Sequence, residues 1–241
     1  MRFIIHEMAY EKPLTAGKWK YLLDGQPTGA VEEWRLADAL EGYRFLRVDL
    51  DARAAASRRS TLYHLTLDEN GNPVQLKYRF WIDGLETIGA VLLEKDAVIV
   101  TRETTGGRQE EVLAVPAGYA FWFPATAGLS LLAKEAGHEN QTAVTLLTAA
   151  DDPALLMSPL LTAVTVREHE QVPVEVMGKN EMARRMTVSW ENQRRLLWID
   201  EEGWPLRMER DDRLTAVIAR RIKYQRITAP GVNNMRPAAG T

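Results

Sequence analysis

Apolar residues recur at every second position along most of this chain. Trp19, Tyr21 and Leu23 share one side of a strand, and Leu46, Val48 and Leu50 alternate with Arg47 and Asp49. Val74, Leu76, Tyr78, Phe80 and Ile82 alternate with Gln75, Lys77, Arg79 and Trp81 in the cleanest such run. Period two marks strands with one row of side chains packed and the other solvated. The pattern predicts further strands at 87–93, 97–102, 112–115 and 141–148, and then at 164–168, 172–177, 184–191, 195–199, 206–210 and 214–224. The middle breaks the period. An aromatic cluster, Tyr119 to Pro124, leads into helix formers behind a Thr126 cap, and Asp151-Asp152-Pro153 predicts a second short helix from Ala154 to about Leu161, ended or bent by Pro159.

One stretch is written twice. Leu65-Thr66-Leu67-Asp68-Glu69-Asn70-Gly71-Asn72-Pro73-Val74-Gln75-Leu76 returns as Leu197-Trp198-Ile199-Asp200-Glu201-Glu202-Gly203-Trp204-Pro205-Leu206-Arg207-Met208, at an offset of 200 − 68 = 132. In each copy an Asp opens a tight turn, Gly supplies the left-handed residue that closes it, and Pro starts the returning strand where a ladder N–H can be spared. Self-similarity at one offset is the mark of a duplicated unit. The chain therefore reads as an N-terminal arm (1–16), a single β-roll domain (17–227) of two repeats at about 17–115 and 140–227, and a flexible tail (228–241) poor in apolar groups.

Composition narrows the class. Thirty basic against 33 acidic residues give a net charge of −3 with no dense basic run, which argues against nucleic acid as a partner. Arginine pairs such as Arg58-Arg59, Arg184-Arg185, Arg194-Arg195 and Arg220-Arg221 read as solvated strand faces. The absence of cysteine removes disulfides and thiolate chemistry. No apolar run reaches the length of a membrane helix, and the first residues lack a signal-peptide core, so the expected location is the cytoplasm.

Standard catalytic signatures are missing. His6, His64, His138 and His169 have no zinc-site spacing, and there is no GxSxG elbow, phosphate loop or dinucleotide fingerprint, so neither metal nor cofactor is expected. The Asp-Glu pairs of the two hairpins are accounted for by turn chemistry. Seven tryptophans remain to be explained. They fill the interior of a twisted sheet, or they line a cavity left by a curved one.

Long antiparallel strands in duplicate, a DExGxP hairpin in each half and short helices between them resemble the half-barrel or spiral β-roll group. That group includes the glycolipid-binding family, the periplasmic lipoprotein carriers and the violacein-pathway enzyme of the same fold. The likeness spans about 17–227 and is carried by Asp68 to Pro73 and Asp200 to Pro205; no catalytic residue transfers. It implies a mainly β fold in which two repeated halves form one strongly curved antiparallel sheet with one or two short helices, and a concave face that shelters an apolar ligand. Trp19, Tyr21, Trp34, Tyr78, Phe80, Trp122, Phe123, Leu132, Leu156 and Trp190 are the candidate lining residues. The expected role is non-catalytic binding of a hydrophobic small molecule or glycolipid. An enzyme without cofactor, using Tyr21, Tyr78, Arg79, His64 and Glu191 in the same cavity, is one alternative, and a module that dimerises through an exposed strand edge is another.

Overall fold

The computed structural model describes residues 8–82, 84–135, 141–148 and 155–224. Fifteen strands form one sheet. Six come first: β1 (Lys12–Leu23), β2 (Gln26–Asp38), β3 (Arg44–Ala52), β4 (Arg59–Leu67), β5 (Pro73–Ile82) and β6 (Leu85–Leu93). The hairpin β7 (Ala97–Thr104) and β8 (Gly107–Ala114) follows, then the short β9 (Ala120–Phe121) and a helix, α1 (Thr126–Leu132), which tightens into a 3-10 turn at Ala133–Glu135. Six more strands complete the sheet: β10 (Gln141–Leu147), β11 (Ser158–Val176), β12 (Lys179–Trp190), β13 (Gln193–Ile199), β14 (Pro205–Arg210) and β15 (Leu214–Lys223).

The strand order is β8-β7-β6-β5-β4-β3-β2-β1-β15-β14-β13-β12-β11-β10-β9. All neighbours are antiparallel except β9 and β10, which are parallel. An offset of 132 carries the first six strands onto the last six. Gln26 lands on Ser158 at the start of β11, Leu67 on Ile199 at the end of β13, and Pro73 on Pro205 at the start of β14. Two six-strand meanders thus lie side by side, the first strand of one paired with the last strand of the other. The two DExGxP hairpins have the same internal bonds. Asp68 N–H donates to Asn72 O and Asp200 N–H to Trp204 O, both at 2.9 Å, and Gly71 (φ +81°) and Gly203 (φ +90°) close the turns in the left-handed region.

Period two has the expected consequence for burial. Trp19 and Tyr21, Ala30 and Trp34, Leu46, Val48 and Leu50, Tyr63, Leu65 and Leu67, and Leu76, Tyr78 and Phe80 form one buried face. Lys18, Lys20, Glu33, Asp49 and Lys77 are on the other, where they are half-buried or exposed. The sheet bends round its apolar face. Arg102 on β7, second in the strand order, donates from Nε to Leu156 O at 2.6 Å and from Nη2 to Ser158 Oγ at 2.8 Å at the head of β11, thirteenth in that order. The ends meet through side chains, and the sheet stays an open, strongly curved roll. Helix α1 occupies part of the hollow, with all seven residues buried.

Several sequence expectations are corrected. Ser158–Leu161, assigned to the end of a second helix, are strand residues paired with Leu147–Val144; pairing with β10 outweighs the helix propensity of Leu160 and Leu161, and Pro159 sits at the start of a strand rather than the end of a helix. The predicted strands at 164–168 and 172–177 are one strand, β11, with an irregularity between Glu168 and Gln171. The N-terminal arm does not extend to residue 16, since β1 begins at Lys12 and runs through Pro13, pairing with both β2 and β15. The leading residues 1–7, residues 151–154 and the tail from 225 onward lie outside the described residues. Among the described residues no helix is long and apolar enough to cross a membrane.

The two repeats are joined by a tryptophan stack. Trp34 lies between Trp19 (centroids 5.4 Å apart) and Trp204 (3.8 Å), and Trp19 Nε1 donates to Pro205 O at 2.8 Å, so rings of the first meander hold the hairpin of the second. Gly17 makes this possible, because a Cβ there would stand 2.5 Å from the Trp34 indole nitrogen. Gly17→Ala is expected to lower the unfolding free energy by about 1–3 kcal/mol through overpacking. Gly106→Ala, where the nearest atom to an added Cβ is 3.5 Å away, is expected to stay within roughly 0.5 kcal/mol of wild type in the same denaturant titration.

Candidate functional site

Helix α1 does not fill the whole hollow. At the end of the roll opposite the DExGxP turns of β4–β5 and β13–β14 a cavity of about 780 Å³ remains. Its walls come from both meanders: Tyr21 and Ala30 on β1 and β2, Leu50 and Ala52 on β3, Leu146 and Leu160 on β10 and β11, Trp190 on β12 and Met208 on β14. Trp122, Pro124 and the α1 residues Thr126 and Leu129 form the inner side. Trp122 and Trp190 meet edge to face at 4.5 Å, so two indoles form a continuous apolar surface.

A buried carboxylate fixes the helix that bounds this cavity. Glu32 on β2, fully buried, accepts from Thr126 N–H (2.9 Å), from Ala127 N–H (2.8 Å) and from the Tyr21 hydroxyl, which also contacts Thr126 Oγ1 at 2.7 Å. The expected Thr126 cap is therefore corrected. Ala125 is the N-cap, without a side-chain bond, and the orphan N–H groups are met by a strand residue from across the hollow. Burial raises the Glu32 carboxyl against the pull of its donors, and burial together with the Glu32 charge pushes the Tyr21 hydroxyl well above its ordinary value. Tyr21 thus keeps its proton and donates it to Glu32, whose oxygens accept the two helix N–H groups.

Of the ten candidate lining residues, Tyr21, Trp122 and Trp190 line this cavity. Trp19, Trp34, Tyr78, Phe80, Phe123, Leu132 and Leu156 do not; they belong to the packed core, where Phe123 lies 4.8 Å from the Tyr63 ring and the Tyr78 hydroxyl donates to Thr101 O at 2.9 Å. The five side chains weighed for an enzyme are not gathered. Tyr21 and Glu191 line the cavity, Tyr78 is in the core, and Arg79 and His64 are on the other face, Arg79 paired with Glu86 and His64 edge-on to Phe45 at 4.8 Å. Among the described residues no group of three His, Asp or Glu side chains is placed to hold a metal.

Sequence reasoning missed Glu32, Arg59 and Arg195. The signal was present, since all three fall in apolar rows: Glu32 between Ala30 and Trp34, Arg59 before Thr61 and Tyr63, and Arg195 before Leu197 and Ile199. The reading of Arg58-Arg59 and Arg194-Arg195 as solvated faces is corrected for one member of each pair, because Arg59 and Arg195 line the cavity. Arg195 stacks on the Trp190 ring (4.8 Å), and burial with Arg210 nearby lowers it to about 10, which leaves it charged at neutral pH.

No family model matches the chain, and no curated protein matches it. Among solved structures it is similar to the crystal structure of a DUF1089 family protein from Pseudomonas aeruginosa, at 13% identity over 86% of this chain and 95% of that one, with a TM-score of 0.40. That protein is a distant structural neighbour.

Two outcomes follow from the buried groups. Glu32→Ala leaves two buried helix N–H groups without an acceptor, and a loss of about 1–3 kcal/mol for each is expected in equilibrium unfolding. His64 is lowered from 6.5 to about 4 by burial and by the charges of Arg47 and Lys77, against a smaller opposing effect from Glu11. The folded state holds the ring neutral while the unfolded chain protonates it near 6.5, so its contribution is complete above pH 6.5 and is lost as pH falls toward 4. Thermal unfolding of wild type is expected to fall more steeply than that of His64→Gln across this window.

Proposed function

We propose that this protein binds a hydrophobic or lipid-like small molecule, without catalysis, in the cavity between α1 and the curved sheet. The supporting observation is the cavity itself. Its volume of about 780 Å³ is within the range of small-molecule sites, and Trp122, Leu129, Leu146, Leu160, Trp190 and Met208 give it an apolar wall. Each methylene transferred from water to such a wall contributes about 0.8 kcal/mol before ordering costs, so an acyl chain is a fitting occupant. The resemblance of the doubled hairpin to the glycolipid-binding spiral β-roll family points the same way, and a glycolipid is one member of the class. The scattered placement of Tyr78, Arg79 and His64 favours binding over a cofactor-free reaction in this cavity.

Titration with medium-chain amphiphiles is expected to alter the fluorescence of Trp122 and Trp190 and to raise the unfolding temperature. Leu160, half-buried on the wall, is the test position. Leu160→Glu is expected to weaken binding about tenfold or more while leaving the fold intact, because it sets a charge against the apolar occupant. Amphiphiles that leave both the fluorescence and the unfolding temperature of wild type unchanged would refute the proposal.

A further inference from the structure

The cavity is apolar in its walls and unbalanced in its charges. Arg59, Arg195 and Arg210 line it, against the single carboxylate of Glu191, which is exposed. Arg210 is neutralised by Asp212, with Nε to Oδ1 at 3.0 Å and Nη2 to Oδ2 at 2.5 Å. The other two are not. Among the described residues Arg195 donates only to neutral acceptors, Arg194 O and Gln193 Oε1, both at 2.9 Å, and Asp211 and Asp212 act on it at longer range. Arg59 has a buried Nε with no partner, and among the described residues its guanidinium forms no ion pair. The indole N–H of Trp122, a residue only 7% exposed, is likewise buried without a partner beside this cavity.

Buried donors in native proteins have acceptors, and a guanidinium without a counter-ion on an apolar wall is costly. Two unmet donors, Arg59 Nε and the Trp122 N–H, and a second guanidinium without an ion pair among the described residues share one remedy, an occupant that brings acceptor oxygens and negative charge. We propose that the ligand of this cavity carries an anionic head group, a carboxylate or phosphate monoester on an apolar body, met by Arg59 and Arg195. This rests on the reading of the cavity as a site for an apolar molecule. The arginines suit the task because a planar guanidinium grips either oxyanion with two parallel hydrogen bonds. Arg195 is already oriented by its stack on Trp190, so the head group and the apolar body would be recognised at adjoining surfaces.

The test compares four ligands of one chain length by calorimetry on the full chain: decanoate, decyl phosphate, decanol and decyltrimethylammonium. The two anions are expected to bind at least about tenfold more tightly than decanol, with a preference that shrinks in high salt, and the stronger of them identifies the head group. Arg59→Gln and Arg195→Gln are each expected to reduce anion affinity about tenfold and decanol affinity far less, while Arg79→Gln, on the other face of the sheet, changes neither. Should decanol or the cation bind as well as the anions, the head-group assignment is overturned and the apolar site stands. Should none of the four bind, both fall. If either arginine variant fails to fold, the wild-type comparison across the four ligands and its salt dependence decide the matter alone.

Discussion

A single sheet with one apolar face has no second layer to pack against, so it must cover that face with itself. This constraint shapes the whole molecule. Bending brings β7 round to the head of β11, where Arg102, 4% exposed, is held by Leu156 O, Ser158 Oγ and the Glu111 carboxylate. A barrel would close this gap with backbone bonds. Here side chains close it, which leaves the interior wider than strand pairing alone would fix and requires something to fill it.

What fills it is set by two interactions of different kinds. The stack of Trp19, Trp34 and Trp204 occupies the space near the second DExGxP turn and ties the two meanders together by ring contact. Helix α1 occupies the centre. A helix of seven residues is too short to be stable by itself, so its position depends on external partners. Glu32 supplies them by accepting the first helical N–H groups, and the buried Tyr21 hydroxyl holds that carboxylate in place. The helix is thereby fixed at its N-terminus, with the cavity beside Thr126 and Leu129 left unfilled.

The sheet was legible because its information is local. Period-two rows such as Leu76, Tyr78 and Phe80, and turn residues such as Gly71 and Gly203, act through a strand's own geometry and needed no knowledge of partners. The second helix failed for the opposite reason. Leu160 and Leu161 are good helix formers, and only the ladder with β10 makes them strand. Likewise the choice of which tryptophans line the cavity lay in the curvature, a property of fifteen strands together. Charged residues inside apolar rows were the one site signal open to sequence reading, and arginine pairs concealed it by resembling solvated faces.

The two accounts of the tryptophans cover five of the seven, at different ends of the roll; Trp81 and Trp198 fit neither, being half-buried with Arg79 and Arg207 over their rings. Trp19, Trp34 and Trp204 are structural, since each is buried against another ring and Trp19 has its indole N–H bonded. Trp122 and Trp190 pack against each other and line open space, and here the indole N–H of Trp122 is unmet. Burial alone does not separate the two sets, because Trp122 and Trp190 are as inaccessible as a core residue. Polar satisfaction adds to the division, though not alone: the Trp34 N–H is also without a partner, yet its ring is sandwiched between two others and its indole nitrogen is packed against Gly17. The proposed ligand could meet an unmet donor only where there is room for it, and Trp122 and Arg59 combine an unmet donor with a place on the cavity wall.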